Sequence, residues 1–599
     1  MSFTGKALEI NLSDMKYEEI EIDDHVYEKH AGIIGIAYEF AEKLAGRYDP
    51  LSPENFVILS AGILTNTGIP GATKTIAVTK NPLNNTYGPA VGGGAFARNM
   101  KRAGYDMVIL KGKAKHPVWI DINSKIEINK ANFWGKDIVE TTKLLNSNSV
   151  LAIGKAGENR VPIALALIDA IHHIGKGGLG AVLGSKNVKA IRVRGSKDAK
   201  IAKPDEFSRV VREFKNKVKS DKVTKIYSDI GIMSAWDAWA KLGYLTRRMK
   251  SEVVDADTLK EFGVEKYKER IKKRSTGCVG CPARCKSVLE VEVDGKKVES
   301  LASLYLGVAY EFGVKCGVES AEKAVLCHDL ANRMGIDAMT FAELFDILAT
   351  LKESGKTDID IERSAECVMK YLKLVANREG IGEYIGKGIK GLKGLCEFED
   401  YFIKGIEPIF DPRISFGSEA FGLLTNPRGA QEGPVTITVI PGRKKESIIR
   451  YMRSIGASDE LIEATFRNGF NSALYTISAE NWLWLLNGMG LCRRESIARS
   501  LNIDTVRDMF NYATGFNLSN EEMIKASAEA FGVARKLNCS EGYTYKDDLP
   551  PKKFFTPLQT WVGKKVWRDY LTNETVDYDH VMKMLGDYYS MRGWKNGCP

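Results

Sequence analysis

Residues 203–221, KPDEFSRVVREFKNKVKSD, divide the chain into two parts with different sequence patterns. The stretch begins with a proline and two acidic residues and then repeats its apolar residues at helical spacing, which is typical of an amphipathic helix. Before it, short apolar runs alternate with polar residues and end at Gly, Pro, Asn or Asp, as strands do. After it, helical patterns dominate. The sequence therefore predicts an α+β protein, with a β-rich N-terminal domain followed by mainly helical domains.

The segments on either side of this boundary give specific expectations. The predicted strands are KALEINLSD, YEEIEID, FVILSAGILT, TIAVT, DMVILKG, PVWIDIN, KIEI, SVLAIG and AIRVRG, with helices at 32–45 and 135–145 among them. The predicted helices further along are SAEKAVLCHDLANRMG, TFAELFDILATLKESG, SDELIEATFRNGFNSALY and NEEMIKASAEAFGVARKL. A loop at residues 411–413 separates two helical sets. The predicted domains are 1–202, 203–412 and 413–599.

The composition is that of an ordinary soluble globular protein. The 599 residues are 44% hydrophobic and 27% charged, which excludes disordered and collagen-like classes. The net charge is +10, but basic and acidic residues are interspersed, which favours a solvated surface over nucleic-acid binding; an acidic electron carrier or an anionic substrate could also use a basic patch. No apolar run reaches the length of a membrane span, and the first residues lack the pattern of a secretion signal. We therefore expect a cytoplasmic protein that contacts neither nucleic acid nor membrane.

Three of the ten cysteines, Cys278, Cys281 and Cys285, form the pattern C-x2-C-x3-C. Without a secretion signal, clustered cysteines are more typical of metal ligands than of disulfides. No other cysteine lies within thirty residues of them, and no histidine lies between His173 and His328. A structural zinc site usually completes its tetrahedron with a second close pair, whereas a cubane iron–sulfur cluster can take a remote fourth thiolate. The spacing favours the cluster, and a zinc site or buried free thiols remain the alternatives.

Two glycine-rich loops lie in the β-rich part, VGGGAFA at residues 91–97 and IGKGGLGAVLGSKN at residues 174–187. Glycine permits positive φ and lets backbone N–H groups approach a phosphate closely. Lys176 and Lys186 add positive charge to the second loop. Neither loop matches the P-loop or the dinucleotide-binding pattern, so anion binding and tight sheet packing are both compatible with them.

Motifs along the whole chain resemble those of the aldehyde ferredoxin oxidoreductase family. In order, they are PLSPENFVILSAGILT, VTKNPLNNTYGPAVGGGAFARNMKRAGYD, IGKAGENRV, GKGGLGAVLGSKNVKAIRVRGSK, the C-x2-C-x3-C pattern, NRMGID at 332–337, DPR at 411–413, TNPRGA at 425–430, NGMGLC at 487–492 and YYSMRGW near the C-terminus. The resemblance implies an N-terminal domain of two sheets, covered by two helical domains. It also implies two pterins that hold tungsten or molybdenum, a magnesium ion bridging their phosphates, and one 4Fe-4S cluster that passes electrons to ferredoxin or an iron–sulfur partner subunit. The family includes homodimers and hetero-oligomers.

The resemblance also assigns roles residue by residue. Cys492 becomes the fourth cluster ligand, because it ends the second pterin motif. The implied cofactor contacts are Lys74, Val91, Gly93, His172, His173, Gly175, Lys176, Asn332, Ile336, Asp337, Arg428, Asn487 and Leu491. The histidines among them could instead be packed or phosphate-binding. Cys492 lies five residues after Asn487, so pterin and cluster should be close neighbours, as one-electron transfer requires.

Three of these positions depart from the family pattern. Lys74 stands where an Arg usually links cluster and pterin, so the charge is kept but the bidentate fork is lost. Asn332 and Asn487 replace aspartates, which keeps an acceptor, adds donors and removes a charge.

The catalytic pair of the aldehyde-oxidising members also differs. Glu432 occupies the place of their acid–base His, and their catalytic Glu aligns near Ser303, with Glu299 as the nearest acid. We predict that a carboxylate handles the proton, with Glu432 preferred over Glu299. Both could instead be surface carboxylates.

Three functions are compatible with these residues. The first is interconversion of an aldehyde and a carboxylic acid, which we predict. The second is reduction of an aromatic acyl-CoA, as in class II benzoyl-CoA reductase; that branch supplies a cysteine to tungsten after the cluster motif, whereas residues 298–312 contain none and Cys316 lies beyond them. The third is a non-catalytic electron-relay subunit, against which the intact cluster motif and glycine loops argue.

Overall fold

The N-terminal part of the chain folds into two six-stranded sheets, which confirms the predicted β-rich domain. The structure is a computed structural model, and it describes residues 1–301, 305–409, 411, 413, 417–430, 444–560, 563–569 and 572–599. The strands are β1 Lys6–Asn11, β2 Lys16–Glu21, β3 Val57–Ala61, β4 Thr75–Val78, β5 Ala90–Gly92, β6 Met107–Lys111, β7 Val118–Ile122, β8 Ile126–Lys130, β9 Val150–Ile153, β10 Ala166–Ile168, β11 His172–Ile174 and β12 Val188–Val193.

Each sheet combines one parallel pair with antiparallel neighbours. The first has the order β2-β1-β6-β3-β4-β5, with β1 and β6 parallel, and the second has the order β11-β10-β9-β12-β7-β8, with β12 and β7 parallel. Apolar side chains of both sheets, such as Leu59 and Ile120, share one buried core. The edge strands β5 and β11 meet, since a Cβ on Gly92 would lie 3.0 Å from Ile174 Cβ. Both glycine-rich loops therefore begin at this junction.

Six helices accompany the two sheets. They are α1 Asp24–His30, α2 Ile33–Leu44, α3 Phe96–Ala103, α4 Ile138–Leu144, α5 Lys155–Glu158 and α6 Leu179–Ser185. The second and fourth lie within the predicted helices at 32–45 and 135–145. The other four, α1, α3, α5 and α6, were not predicted, because each has only four to eight residues.

Beyond residue 203 the chain is largely helical, as the sequence predicts. The helix α7 begins at a proline in its first turn, which suits the fixed φ of that residue. The helices are α7 Pro204–Ser220, α8 Lys222–Ile230, α9 Trp236–Leu242, α10 Ala256–Glu261, α11 Val264–Lys266, α12 Tyr305–Gly307, α13 Ala321–Met334, α14 Ala338–Glu353, α15 Ala365–Asn377, α16 Gly382–Ile385, α17 Ile389–Leu392, α18 Gly417–Thr425, α19 Lys445–Ser454, α20 Asp459–Phe466, α21 Ser472–Met489, α22 Glu495–Ala498, α23 Ile503–Thr514, α24 Asn520–Ser540 and α25 Tyr578–Arg592. Tyr267–Ile271 and Val308–Lys315 are π-helical, and Gly231–Ala235, Tyr545–Asp548 and Lys552–Phe555 are 3-10 helices.

Small antiparallel sheets interrupt this helical part. They pair β13 Thr246–Arg247 with β14 Glu252–Val253, β15 Lys272–Thr276 with β16 Lys286–Val293 and β17 Lys296–Ser300, and β18 Leu558–Thr560 with β19 Gly563–Lys565. The C-x2-C-x3-C pattern forms the turn between β15 and β16. The single helix predicted for SDELIEATFRNGFNSALY is wrong, because Gly469 adopts a φ of 94° and separates α20 from α21.

A disulfide joins Cys539 at the end of α24 to Cys598 near the C-terminus. The three cysteines of the C-x2-C-x3-C pattern and Cys492 are free thiols. Among the helices that the structure describes, none has the length and apolar composition that crossing a bilayer requires.

Candidate functional site

A cavity of about 360 Å³ lies where the two N-terminal sheets meet the helical part. Its wall combines both glycine-rich loops, the C-x2-C-x3-C turn and the loops that end α13 and α21. The predicted site residues in this wall are Lys74, Val91, Gly93, His172, His173, Gly175, Lys176, Cys278, Cys281, Cys285, Asp337, Arg428, Asn487 and Cys492. Asn332, Ile336 and Leu491 are buried beside the wall rather than in it. The fold thus gathers residues that are hundreds of positions apart.

The loop NRMGID at residues 332–337 is held against the second sheet by its backbone. Helix α13 ends at Gly335, whose φ of 72° lies in the left-handed region that favours glycine. The N–H of Leu165 donates to the carbonyl of Gly335 at 2.9 Å, and the N–H of Asp337 donates to the carbonyl of Ile163 at 3.0 Å. The carboxylate of Asp337 caps α14 by accepting two backbone N–H groups. These bonds fix that carboxylate in the cavity wall.

The loop NGMGLC at residues 487–492 is held against the first sheet in the same way. Helix α21 ends at Gly490, with a φ of 80°, and the Gly490 carbonyl accepts the N–H groups of Thr73 at 2.9 Å and Lys74 at 3.1 Å. Gly62, directly after β3, is so close that a Cβ on it would lie 2.1 Å from Gly490 Cα. Only glycine permits this approach. It places Cys492, two residues later, beside the start of β4.

The four-cysteine group comprises Cys278, Cys281, Cys285 and Cys492, and all four line the cavity. Gly93 is required next to it, because a Cβ there would lie 2.5 Å from Cys278 Sγ. The N–H of Gly94 donates to the same sulfur at 3.4 Å. Burial lowers the pKa of Lys74, but the four cysteines raise it more, so the amine stays positively charged. This charge and this N–H stabilise the thiolate form that metal ligands need.

The cysteines differ in their electrostatic surroundings. Burial raises the pKa of the Cys278 thiol, but Lys74 and Lys286 lower it more, and the net pKa is below the ordinary value. Burial raises the pKa of Cys281 to about 12.

The opposite wall is polar and carries buried carboxylates. Lys176 Nζ lies 3.1 Å from Asp337 Oδ2 and also contacts Glu407. Burial lowers the pKa of Lys176, but the two carboxylates raise it more, so the lysine is charged. Burial raises the pKa of Glu407, and the neighbouring charge of Asp337 adds to this shift.

Arg428 is a buried guanidinium with unused hydrogen-bonding capacity. Its Nη1 donates to the Lys176 carbonyl at 3.5 Å, and its Nε has no hydrogen-bond partner among the described residues. Burial lowers its pKa to about 9, so it is charged at neutral pH. A buried charged donor without a partner is costly unless a ligand satisfies it. Arg428 therefore suits an anionic group such as a phosphate.

These observations fit the cofactors that the family resemblance implies. Four free thiols on one wall are the ligand set of a cubane cluster. The spare donors of Arg428 and the close-approach glycine loops suit the phosphates of a pterin cofactor.

Two residues, Glu299 and Glu432, were predicted to handle the proton, and for different reasons neither can be assigned to the cavity wall. Glu299 lies on β17 with its side chain 46% exposed, and it pairs with Lys273 at 2.7 Å. The alternation of the strand turns Glu299 to solvent while Ser300 is buried. Glu432 and Ser303 lie outside the described residues.

Several wall residues were not predicted from the sequence. They are Lys286, Glu311, His328, Met339, Trp484, Arg493 and Arg494. Burial lowers the pKa of Lys286 to about 8. A helical-spacing signal could have identified His328, because it lies four residues before Asn332 and therefore shares its face of α13. No comparable local signal identifies Glu311.

Comparisons with known proteins cover nearly the whole chain. The family model for the N-terminal domain of aldehyde ferredoxin oxidoreductase matches residues 7–195, and the model for domains 2 and 3 matches residues 209–599. The chain is 28% identical to a tungsten-containing aldehyde ferredoxin oxidoreductase of Pyrococcus abyssi, over 99% of this chain and 96% of that protein. It is 29% identical to the protein of that name from Pyrococcus furiosus, over 98% and 96%.

Two further similarities involve parts of assemblies. The WOR-like subunit of an aliphatic sulfonate oxidoreductase from Pyrococcus furiosus is 28% identical over 65% of this chain and 66% of that protein. The solved active-site complex BamBC of benzoyl coenzyme A reductase, bound to 1,5-dienoyl-CoA, has a TM-score of 0.82 and 21% identity, covering 100% of this chain and 96% of the solved one. With both family models matched along its length, this chain belongs to the aldehyde ferredoxin oxidoreductase family.

Proposed function

We propose that this protein is a tungsten or molybdenum bis-pterin oxidoreductase that interconverts an aldehyde and a carboxylic acid. The four-cysteine group lines the same cavity as residues of the loops at 332–337 and 487–492, which we call the first and second motif loops. This observation carries the proposal. The names of the Pyrococcus relatives favour tungsten over molybdenum.

The residues present would divide the cofactors between them. The four-cysteine group would hold a 4Fe-4S cluster, and Arg428 and Lys176 would face the pterin phosphates, with magnesium between those phosphates. Asp337 and Asn487 would hydrogen-bond the pterin rings. When bound, these groups take two electrons from the substrate and release them one at a time. The chain contributes a cavity, and polar groups in the wall of this cavity would orient the substrate.

The proton-handling residue predicted from the sequence is Glu432, which lies outside the described residues. Glu299 is not part of the proposal, because its carboxylate is half exposed and bound to Lys273 on the outer face of β17. Any acid–base group must lie within hydrogen-bonding reach of the substrate.

A second depression, which opens to solvent, supports a route by which electrons leave the cluster for a partner protein. It is lined by Lys215, Lys219 and Arg284, and also by Cys278 and Cys281, which belong to the inner cavity as well. The described lining of this depression contains three cations and no carboxylate. Such a surface favours an acidic partner, which would approach the cluster closely. The partner would be ferredoxin or an iron–sulfur subunit, and the names of two similar proteins as parts of assemblies support a subunit.

The test is metal analysis of the anaerobically purified protein, combined with oxidation of a panel of aldehydes using a viologen dye as acceptor. We expect about four iron per chain, as a cubane cluster requires, together with tungsten or molybdenum. One zinc per chain without iron, or the absence of both tungsten and molybdenum, would contradict the proposal. Reduction of an aromatic acyl-CoA without aldehyde oxidation would favour the second function.

One variant tests the role of the second motif loop. Replacing Asn487 with Leu leaves polar atoms of the pterin unpaired, at about 1–3 kcal/mol for each group. Asn487→Leu should therefore retain less tungsten or molybdenum than the native protein. Asn216→Leu, on the exposed face of α7, is the matched control. Equal metal content in both variants would remove Asn487 from the site.

A further inference from the structure

Two buried side chains, Asn332 and His328, and the half-buried His173 form a continuous hydrogen-bonded chain next to the cavity. His173 Nε2 lies 2.7 Å from Asn332 Oδ1, and Asn332 Nδ2 lies 3.1 Å from His328 Nδ1. Both histidines are in the cavity wall, on opposite sides of the asparagine. His173 belongs to β11, whereas His328 and Asn332 are one turn apart on α13.

The asparagine fixes the tautomer of both rings. An amide oxygen only accepts hydrogen bonds and an amide nitrogen only donates them. His173 must therefore carry its proton on Nε2, and His328 must leave Nδ1 unprotonated. Burial lowers the pKa of His328 to about 3, so its ring is neutral at ordinary pH. A neutral ring without a proton on Nδ1 carries one on Nε2.

The second ring nitrogen of His328, Nε2, lies beside another residue of the cavity wall. A Cβ on Gly307, which is itself a wall residue, would lie 3.4 Å from His328 Nε2. Glu311 follows Gly307 by one helical turn and is also in the wall. His328 and Glu311 thus line the same cavity.

Charged groups from three segments surround the Glu311 carboxyl. Lys315 Nζ lies 2.8 Å from Glu311 Oε2 and 2.8 Å from Glu343 Oε2, so the lysine is shared between two carboxylates. Glu407 adds further negative charge. Burial raises the pKa of Glu311, Lys315 lowers it, and Glu343 and Glu407 raise it again, to a final value of about 7. Such a group can both accept and release a proton near neutral pH.

We infer that Glu311 is the general base of this site, that His328 is the hydrogen-bond donor that holds the substrate oxygen, and that Asn332 is the residue that positions His328. The inference rests on the proposed function. The His328 Nε2–H would hold the substrate oxygen, and Glu311 would take the proton of the attacking water. The role is thus supplied by different positions from those at which the family keeps its own pair.

The reaction balances with these roles. An aldehyde and one water give a carboxylic acid, two protons and two electrons. A carbon–oxygen bond forms to the water oxygen, an O–H bond of the water and the aldehyde C–H bond break, and the oxygen stays hydrogen-bonded to His328. Glu311 accepts the water proton and passes it to solvent, and it then takes in the same way the proton that is left when the aldehyde C–H bond gives up its two electrons. The two electrons leave to the metal and cluster of the proposed function.

The first experiment measures the tautomer and needs no turnover. In protein labelled with 15N-histidine and purified with its cofactors, the His328 signal, identified by its loss in His328→Gln, should show a proton on Nε2 and none on Nδ1. Asn332→Asp replaces the donor by an acceptor, so Nδ1 should become protonated. A proton on Nδ1 of the native protein, or an unchanged tautomer in Asn332→Asp, would overturn the inference.

The second experiment measures kcat/KM for an aldehyde against pH. Because Glu311 must be ionised to accept a proton, activity should fall as the pH drops through about 7. Glu311→Gln should lower kcat/KM by about 10²–10⁴-fold and abolish this acidic limb, with iron and tungsten contents unchanged. Glu311→Asp should restore part of the rate and the limb.

The controls separate this inference from the proposed function. Exposed residues supply the matched variants His25→Gln and Glu366→Gln, which should behave as the native protein does. An acidic limb that survives in Glu311→Gln and disappears in Glu432→Gln would assign the base to Glu432 and overturn the inference. A native enzyme that oxidises no aldehyde would overturn the proposed function, while the tautomer would still report on His328.

Discussion

The two motif loops, residues 332–337 and 487–492, are built alike and end differently. Each places an asparagine in the last turn of a helix and continues to a glycine with left-handed φ. Each then forms backbone hydrogen bonds with the segment just before a strand of an N-terminal sheet, β10 for the first loop and β4 for the second. The first then ends on Asp337, whose carboxylate contacts Lys176. The second ends on Cys492, in the four-cysteine group.

This difference separates two kinds of chemistry within one cavity. The same backbone arrangement fixes both walls, and the final side chain decides what each wall can do. The Asp337 wall also carries His328 and Glu311, which suits proton transfer. The Cys492 wall adjoins the cationic depression at the surface, which suits electron transfer. Substitutions in the first loop should therefore affect proton transfer, and substitutions in the second loop should affect electron transfer.

The largest effect is expected from the residue that ends the second loop. Cys492→Ser removes one of four thiolates, so the cluster should be lost and the iron content should fall from about four per chain toward zero. Dye-linked activity should be lost with it. Cys396→Ser, at a half-buried free cysteine outside the cavity wall, is the control and should keep its iron. Full iron content in Cys492→Ser would break the assignment of this wall to electron transfer.

The next effect compares the two glycines. Alanine at either position strains a left-handed φ, at about 1–2 kcal/mol. At Gly490 the new Cβ would also lie 2.6 Å from Thr65 Oγ1 and 2.9 Å from Gly62 Cα, whereas at Gly335 the nearest atom is at 3.0 Å. Overpacking adds about 1–3 kcal/mol. Gly490→Ala should lower the thermal midpoint more than Gly335→Ala and should alone release iron. Equal losses of iron would mean that the loops are not independent.

The smallest effect is expected at the surface depression. Lys215→Glu with Lys219→Glu reverses two charges beside the cysteine motif, so KM for an acidic ferredoxin should rise roughly tenfold at low salt. Reduction of a viologen dye should be unchanged. Lys370→Glu with Lys373→Glu, on the exposed face of α15, is the matched control and should leave both activities unchanged. A similar rise in the control would show a general effect of net charge.

The sequence predicts those strands that form apolar runs of five or more residues. The run FVILSA becomes β3 and DMVILK becomes β6, because apolar strands between two layers are long enough to show their pattern. The strands β5, β10 and β11 were missed, since three residues are too short to show any periodicity. The gathering of the four-cysteine group was predicted through the resemblance, whose motifs mark the residues directly.

His328 and Glu311 were not predicted, for a different reason. Their approach to the cavity depends on how α13 and the π-helical segment Val308–Lys315 are oriented against the sheets. Sequence comparison directs attention to positions 303 and 432, where the family keeps its pair. An ungapped alignment compares fixed positions, so it does not detect a carboxyl group at a different position of the chain.

The contacts between Gly490 and residues 62, 73 and 74 are made by main-chain atoms and therefore place almost no demand on side-chain identity. Substitutions can accumulate around such a contact without moving it, provided that the glycines persist. The chain shares 21% identity with a solved structure and has a TM-score of 0.82 to it, so the fold is similar although most side chains differ. Divergence is then free to act on the side chains that face the cavity, so that one inherited frame can come to serve several reactions.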